Sequence, residues 1–141
     1  MTGRRSGYSA GLGPRGAAVW GAVLAGLAVV LGAFGVHTLA PLLGSERMAV
    51  WETAVRFQMY HALGLLLIAA LPRTNRLAAL LLLVGSLVFS GSLYVLVLTG
   101  VGLLGAITPI GGLLQIAGWA WLAVGLARDR WPAADGDTHR A

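Results

Sequence analysis

From Leu77 to Ala127 the chain reads LAALLLLVGSLVFSGSLYVLVLTGVGLLGAITPIGGLLQIAGWAWLAVGLA, which is 51 residues without a charged side chain. A helix needs about 20 predominantly apolar residues to cross the hydrocarbon core of a bilayer. Lipid offers backbone amides no partners, so only helices and closed barrels span it. The stretch is long enough to cross twice and predicts an integral membrane protein.

Composition supports one membrane domain and excludes several other classes of protein. The 141 residues are 57% hydrophobic, with a mean hydropathy of +0.81, which leaves little sequence for a separate soluble domain. There is no cysteine, which excludes disulfides, thiolate metal sites and cysteine nucleophiles. All ten basic residues are arginines that flank the apolar segments, and no basic stripe carries interleaved aromatic residues, so nucleic acid is not an expected partner.

The apolar segments predict an all-α, polytopic fold, a bundle of four transmembrane helices. The membrane domain is expected at residues 16–128, between a basic N-terminal segment at 1–15 and a disordered tail at 129–141. The spans are predicted at about 17–36, 53–71, 77–98 and 109–127. The first could be read as a signal peptide, but its apolar run exceeds the usual length of about 7 to 15 residues, which favours a retained helix.

Local signals predict where two of the helices begin. Ser45 is expected to cap the second helix, with Glu46 in its first turn, where a carboxylate suits the helix dipole. Glu52 and Arg56 stand four residues apart and are expected to pair. Thr108 followed by Pro109 predicts the start of the fourth helix, because proline is favoured at the first helical position. The glycine-rich segment before it, residues 100–112, reads as a flexible hairpin rather than a pore loop.

Arginine distribution predicts the orientation in the membrane. With four spans, both termini and the turn at residues 72–76 share one side, which holds eight of the ten arginines. Cytoplasmic loops carry such an excess of positive charge. The protein is therefore expected to be a multi-pass plasma (inner) membrane protein with both termini in the cytoplasm.

Four motifs together resemble a known family. They are GAFGVH at residues 32–37, WETAVRFQMYHAL from Trp51, FSGSLYVLVLTG from Phe89, and GAITPIGG from Gly105 leading to Trp119. In this order they resemble the small four-helix membrane family known as domain of unknown function 423, or transmembrane protein 256-like, over roughly residues 32–119. The resemblance implies a four-helix inner-membrane protein of uncharacterised activity, and it transfers no catalytic residue.

The polar side chains within the spans form a candidate cluster of His61, Gln58, Tyr60, Gln115 and His37. Intramembrane histidines can ligate haem or metal or relay protons. His37, however, lies at the end of the first span, whereas His61 is nine residues beyond Glu52 and so roughly 13 Å deeper. A shared ligand is therefore not expected, and each imidazole is expected to bond a backbone carbonyl or a neighbouring side chain. No catalytic, cofactor-binding or metal-binding residue is assigned.

Three serines of the third span, Ser86, Ser90 and Ser92, loosely resemble those of intramembrane serine hydrolases. A hydrolase needs a base oriented on the serine and an oxyanion hole, and His61 is the only deep base available. Hydroxyl residues in membrane helices more often make packing contacts or bond the carbonyl four residues back. The sequence therefore favours a protein that is not an enzyme.

Small residues recur at steps of three and four on two of the helices. The first helix carries Gly21, Ala25, Ala28, Gly32 and Gly35, and the fourth carries Gly111, Gly118 and Gly125 with Gln115 in the same register. Because membrane helices associate by close backbone approach, these stripes are predicted to face neighbouring helices, and Trp119 and Trp121 to point elsewhere.

Two classes of function follow from these observations. The first is a non-enzymatic protein that acts through helix packing with itself, with lipid or with another membrane protein. The second is a small-solute permease or ligand-binding bundle that uses His61, Gln58, Tyr60 and Gln115. Coupled transport usually needs an embedded carboxylate, and the spans contain none away from their ends, so the first class is favoured.

Overall fold

Four long helices account for most of residues 12–72 and 75–128, the part of the chain that the computed structural model describes. They are α1 (Pro14–Phe34), which continues into a π-helical turn (Gly35–Leu39), α2 (Ser45–Ala70), α3 (Arg76–Thr99) and α4 (Leu103–Arg128). All four are long and apolar enough to cross a membrane, which confirms the predicted all-α membrane fold. Most of the predicted N-terminal segment, the tail at 129–141 and Arg73 lie outside the described residues.

Helix α3 begins and ends where local chemistry places its boundaries. The Asn75 side chain accepts a hydrogen bond of 3.1 Å from the Ala78 amide and so caps the first turn. At the other end Gly100 adopts a left-handed conformation with φ of 73°, which glycine reaches without the steric cost of a Cβ. These two caps bracket the predicted span of 77–98 closely.

The predicted start of the fourth helix is wrong. Helix α4 begins at Leu103, and Pro109 lies inside it. A proline within a helix removes one backbone hydrogen bond, whereas an irregular segment at membrane depth would leave several amides and carbonyls without partners. Thr108 is therefore not a cap, and its hydroxyl bonds the Leu104 carbonyl at 3.3 Å. The expected flexible hairpin shrinks to Gly100–Gly102.

The start of α2 also differs from its prediction in one detail. Gly44 occupies the N-cap position, so no side chain caps this helix, and Ser45 is the first helical residue. Glu46 lies in the first turn as expected. Among the residues that the structure describes, no ion pair joins Glu52 to Arg56. Both side chains are exposed, so solvent or lipid headgroups can satisfy them separately.

The helices pack in chain order, α1 on α2, α2 on α3 and α3 on α4. The Leu12 amide donates to the Arg76 carbonyl at 3.0 Å, and the Asn75 side chain donates to the Trp121 carbonyl at 3.3 Å. The start of α1, the start of α3 and the last turns of α4 therefore meet at one end of the bundle. Arg76 lies at this end, whereas Arg47 lies beside Gly100 at the other.

The interior has two apolar clusters with polar side chains between them. The larger cluster is aliphatic and includes Leu65, Ile68 and Leu82. The smaller one surrounds Trp51, Leu39 and Val97. Large apolar side chains cover the outside of every helix at 36% to 75% exposure, an arrangement that suits contact with lipid rather than water.

Candidate functional site

Gln58 joins three helices through two hydrogen bonds. Its Nε2 donates to the Leu24 carbonyl of α1 at 2.9 Å, and its Oε1 accepts from the Tyr94 hydroxyl of α3 at 2.9 Å. The side chain is only 5% exposed. Both ends of the amide are thus bonded within the protein, and Gln58 serves to hold α1, α2 and α3 together.

Trp51 packs between Tyr94 of this network and the π-helical turn. Its indole Nε1 donates to the Leu31 carbonyl at 2.9 Å, and its ring lies 4.7 Å from the ring of Tyr94. A Cβ on Gly35 would lie 2.5 Å from that Nε1, so the indole fits only because residue 35 is glycine. The motif that begins at Gly32 and the motif that begins at Trp51 therefore meet in space.

The two stripes of small residues lie at helix contacts. On α1, a Cβ at Gly21 would lie 2.9 Å from the Ala62 carbonyl oxygen of α2, and one at Gly32 would lie 3.4 Å from Val55. Ala28 and Gly35 are buried, and Ala25 is half-buried. On α4, Gly111 approaches the Phe89 backbone, Gly118 approaches Leu82 and Gly125 approaches Asn75.

A groove of about 350 Å³ with an almost entirely apolar surface lies between α2, α3 and α4. We call it the α2–α4 groove, and its lining residues are Phe57, Tyr60, His61, Phe89, Gly112, Gln115, Ile116 and Trp119. Three of the five predicted cluster residues therefore share one groove, and Gln58 does not line it. His61 and Gln115 thus line one groove, whereas the Gln58 amide bonds α1 and α3.

Hydrogen bonding fixes the tautomer of His61. The ring Nδ1 lies 2.7 Å from the Phe57 carbonyl oxygen, which can only accept, so Nδ1 carries the proton. In the neutral ring Nε2 then presents a lone pair. His61 is 5% exposed, and its ring stacks near that of Phe57 and lies 6.2 Å from that of Trp119.

Gln115 is buried without a complete set of hydrogen bonds. It is 3% exposed, and its Nε2 has no hydrogen-bond partner. Its Cγ and its backbone nitrogen both lie 2.9 Å from the position that a Cβ on Gly85 would occupy, so α3 packs closely against it. Most buried polar atoms in proteins are bonded, so this amide requires an explanation.

The remaining predicted residues are exposed. His37 is exposed on the π-helical turn, and Tyr60 is 55% exposed at the mouth of the α2–α4 groove. Trp121 and Trp119 are 52% and 38% exposed, off the buried stripe of α4 as predicted, although Trp119 also contacts α2. The Trp119 ring lies 2.9 Å from where a Cβ on Gly64 would be, because a glycine on α2 leaves room for the indole to cross from α4.

Two of the three serines of α3 bond to other helices. The Ser90 hydroxyl donates to the Ala54 carbonyl at 2.9 Å, and Ser92 bonds Thr108 of α4 at 2.8 Å. The Ser86 hydroxyl is buried without a partner. Within residues 12–72 and 75–128, no hydrogen bond connects a serine to His61.

A larger groove of about 460 Å³ lies near the π-helical turn, between the end of α1 and α2. Its floor contains Gly32, Gly35 and Trp51, and its rim carries Glu52 and Arg56. None of the buried side-chain atoms without a partner lies in it among the described residues. Its residues thus provide shape and a charged edge but no unpaired buried group.

Sequence reasoning missed three residues that organise these sites, namely Tyr94, Phe57 and Phe89. The Phe57 and Phe89 rings stack at 4.8 Å and form one wall of the α2–α4 groove. All three lie inside the motifs quoted above for the family resemblance, and for Tyr94 an aromatic residue within a run of aliphatic ones was the available signal.

Comparison with known proteins identifies relatives along most of the chain. A family described as "Protein of unknown function (DUF423)" matches residues 31–112. A UPF0382 membrane protein of Staphylococcus haemolyticus is 49% identical over 110 residues, 75% of this chain and 90% of the relative. The UPF0382 membrane protein YwdK of Bacillus subtilis is 42% identical over 114 residues, 75% of this chain and 91% of the relative. No solved structure matches the chain.

Proposed function

This chain belongs to the DUF423 family, whose relatives are named membrane proteins, and we propose that it acts by binding a membrane component rather than by catalysis or transport. The observation that carries the proposal is the separation of Gln58 from His61 and Gln115. A solute pathway needs connected polar groups that water can reach. Here Gln58 is occupied by bonds to Leu24 and Tyr94, so it is not free to line such a pathway.

The hydrogen bonds of the serines support a non-enzymatic role. Ser90 and His61 both donate to backbone carbonyls, those of Ala54 and Phe57. A nucleophilic serine instead needs its hydroxyl directed at a base that is itself oriented by a third group. The candidate partners of the protein are lipid, a second copy of the chain or another membrane protein.

A ligand-binding bundle is the second candidate, and one observation favours it. His61, Tyr60 and Gln115 share the α2–α4 groove, and the Gln115 Nε2 has no partner within the protein. Like the first candidate, a ligand-binding bundle binds a membrane component. Unlike a permease, it needs no path across the bilayer.

The direct test is a flux assay with purified protein in liposomes. We expect the release of trapped small solutes and the decay of a proton gradient to match those of protein-free liposomes. Flux that saturates with solute and is lost in a His61→Phe variant would contradict the binding role and establish the permease. Purification in mild detergent, followed by mass spectrometry of lipids and proteins, then identifies what is bound in stoichiometric amounts.

The proposed location is the plasma (inner) membrane with both termini in the cytoplasm. Arg15, Arg76 and Arg128 lie at the end of the bundle where α1 begins, and Arg47 lies at the other. Positive residues favour the cytoplasmic side, which supports this orientation. Reporter fusions at Ala141 and in the loop at 42–45 test it. A periplasmic reporter that is active at Ala141 and inactive in the loop would reverse the assignment.

A further inference from the structure

The groove near the π-helical turn, which we call the α1–α2 groove, is about as long as one leaflet is deep. Its α2 side runs from Met48 to Tyr60 at steps of three and four residues, and its α1 side is formed by Gly32, Gly35 and Val36. The α2 side is roughly 18 Å long at the rise of an α-helix. One leaflet supplies about half of the roughly 30 Å hydrocarbon core. The groove is therefore long enough to hold the chain of one lipid.

The floor of the α1–α2 groove is apolar and lacks side chains on α1. Gly32 and Gly35 contribute only backbone, and a Cβ at Gly32 would lie 3.4 Å from Val55. The buried Trp51 ring packs against Gly35. Val36 lines the groove and is 60% exposed, so the groove opens toward lipid. An acyl chain, which is narrow, flexible and apolar, suits such a floor.

Glu52 and Arg56 form the charged rim of this groove. Both side chains are exposed, and among the residues that the structure describes no ion pair joins them. A glutamate four residues before a basic residue is in the favourable order for pairing on a helix. Two opposite charges on one rim, without a bond between them, can each bind a separate charged partner. The rim therefore suits a ligand with one anionic and one cationic group.

The order of the two charges along α2 matches a phospholipid headgroup. Helix α2 runs from Ser45 at one side of the membrane to Ala70 at the other, so Arg56 lies about 6 Å deeper than Glu52. In a phospholipid the phosphate lies next to the glycerol and the acyl chains, and the ammonium of an ethanolamine headgroup extends beyond it. Arginine binds phosphate through several N–H groups, and a carboxylate binds ammonium. Each charge of the rim thus lies at the depth of its opposite charge in the lipid.

We propose that the α1–α2 groove binds one phospholipid with an ethanolamine headgroup, in the leaflet at the Ser45 end of α2. The phosphate bonds Arg56, the ammonium bonds Glu52, and an acyl chain lies along the groove past Met59. The inference rests on the proposed binding role and names the membrane component. A choline headgroup has no N–H to donate to Glu52, and a glycerol headgroup has no cation.

Competition among three phospholipids tests the headgroup on the full chain in mild detergent. Dioleoyl phosphatidylethanolamine, phosphatidylcholine and phosphatidylglycerol are added in equal amounts, and native mass spectrometry measures which of them remains on the chain. The three lipids share their acyl chains and differ in the headgroup alone. We expect one phosphatidylethanolamine per chain, retained about threefold to fivefold over either competitor, the size expected of one exposed ion pair.

An exchange of the two charges tests their order on the rim. The double variant Glu52→Arg with Arg56→Glu keeps both charges and the net charge but reverses their depths. It should abolish the preference for phosphatidylethanolamine, because the lipid phosphate then lies beside a carboxylate. A rim that only keeps α2 solvated near the membrane surface would give the wild-type result in this variant.

Two single variants separate the roles of the charges. Glu52→Gln keeps the shape of the side chain but removes the partner of the ammonium, so the three lipids should be retained equally. Arg56→Gln removes the partner of the phosphate, so it should weaken all three by about threefold to fivefold and preserve the preference. Glu46→Gln makes the same charge change at an exposed residue of α2 outside the groove. This control should change neither the amount of lipid retained nor the preference.

Retention of either competitor as strongly as phosphatidylethanolamine by the wild-type protein would overturn the inference. So would a preference that survives the charge exchange. Each variant is first checked for its elution volume and melting temperature, and the wild-type competition decides alone if a variant fails to fold. These outcomes leave the proposed binding role intact, whereas solute flux in liposomes would remove that role without bearing on the lipid competition.

Discussion

Gln58 and Gln115 are the same residue type at nearly the same burial, 5% and 3% exposed, yet they have opposite hydrogen-bonding states. Gln58 is bonded at both ends of its amide, to Leu24 and Tyr94. The Gln115 Nε2 has no partner. In lipid a buried polar group without a partner is costly. The first glutamine is thus explained by the fold, and the second is not.

The difference has a visible cause in the packing of α3 on α4. Gly85 lets Gln115 approach α3 so closely that a Cβ there would be 2.9 Å from its backbone nitrogen and 3.0 Å from the Gly111 carbonyl oxygen. Close backbone approach stabilises membrane helices, and it also restricts the side chain at the contact. The α3–α4 contact gains stability from packing, while the Gln115 Nε2 is enclosed without a partner.

Replacing Gly85 should have the largest effect of the changes considered. In Gly85→Ala the new methyl group meets the backbone of α4, so the helices must separate, and the free energy of unfolding should fall by about 1 to 3 kcal/mol. The control is Gly91→Ala on the same helix, where a Cβ meets nothing within 4 Å. Thermal unfolding in detergent measures both. Equal melting temperatures would contradict the close contact.

Gln58→Leu should have the second-largest effect on the free energy of unfolding. It removes two hydrogen bonds and leaves the Tyr94 hydroxyl without its acceptor, so we expect a loss of about 1 to 2 kcal/mol in the free energy of unfolding. Chemical denaturation in mixed micelles is the measurement. A loss below about 0.3 kcal/mol would mean that lipid or water replaces both bonds in the variant.

Tyr94→Phe removes only the hydroxyl and tests one bond of the same network. The expected loss is about 0.5 to 1 kcal/mol, in keeping with hydrogen bonds measured between membrane helices. The double variant with Gln58→Leu completes a double-mutant cycle. Its loss of unfolding free energy should be smaller than the sum of the two single losses, because both substitutions remove the same bond. Full additivity would show that the bond contributes nothing.

The sequence predicted the fold well because its signals are long and strong. An uncharged run of 51 residues fixes two spans, and helix α3 extends only one residue beyond each end of its predicted span. The start of α4 was mispredicted because Thr108–Pro109 is a short signal, which the need to bond the backbone of residues 103–108 outweighs. Local capping preferences amount to about 1 kcal/mol and yield to that need.

The candidate sites were less predictable, since periodicity shows which residues share a helix face but not which helix lies opposite. Gln58 and His61 are three residues apart on α2, so the sequence grouped them. Their partners come from different helices, Leu24 and Tyr94 for Gln58, and Trp119 for His61. Only the order in which the helices pack separates these two environments.

Gln115→Leu should have the smallest effect on stability, and with the opposite sign. Leucine has a similar volume and no polar atoms, so the substitution removes an unpaired buried amide without leaving a cavity. We expect the free energy of unfolding to stay unchanged or to rise by up to about 1 kcal/mol. The same substitution at Gln58 is the matched control, measured by the same denaturation in mixed micelles.

If Gln115→Leu destabilises the protein as much as Gln58→Leu, then Gln115 has a partner within the fold, and the contrast between the two glutamines disappears. If it stabilises the purified protein, the amide is retained at a cost to stability, which is the behaviour of a residue kept for a reason other than folding.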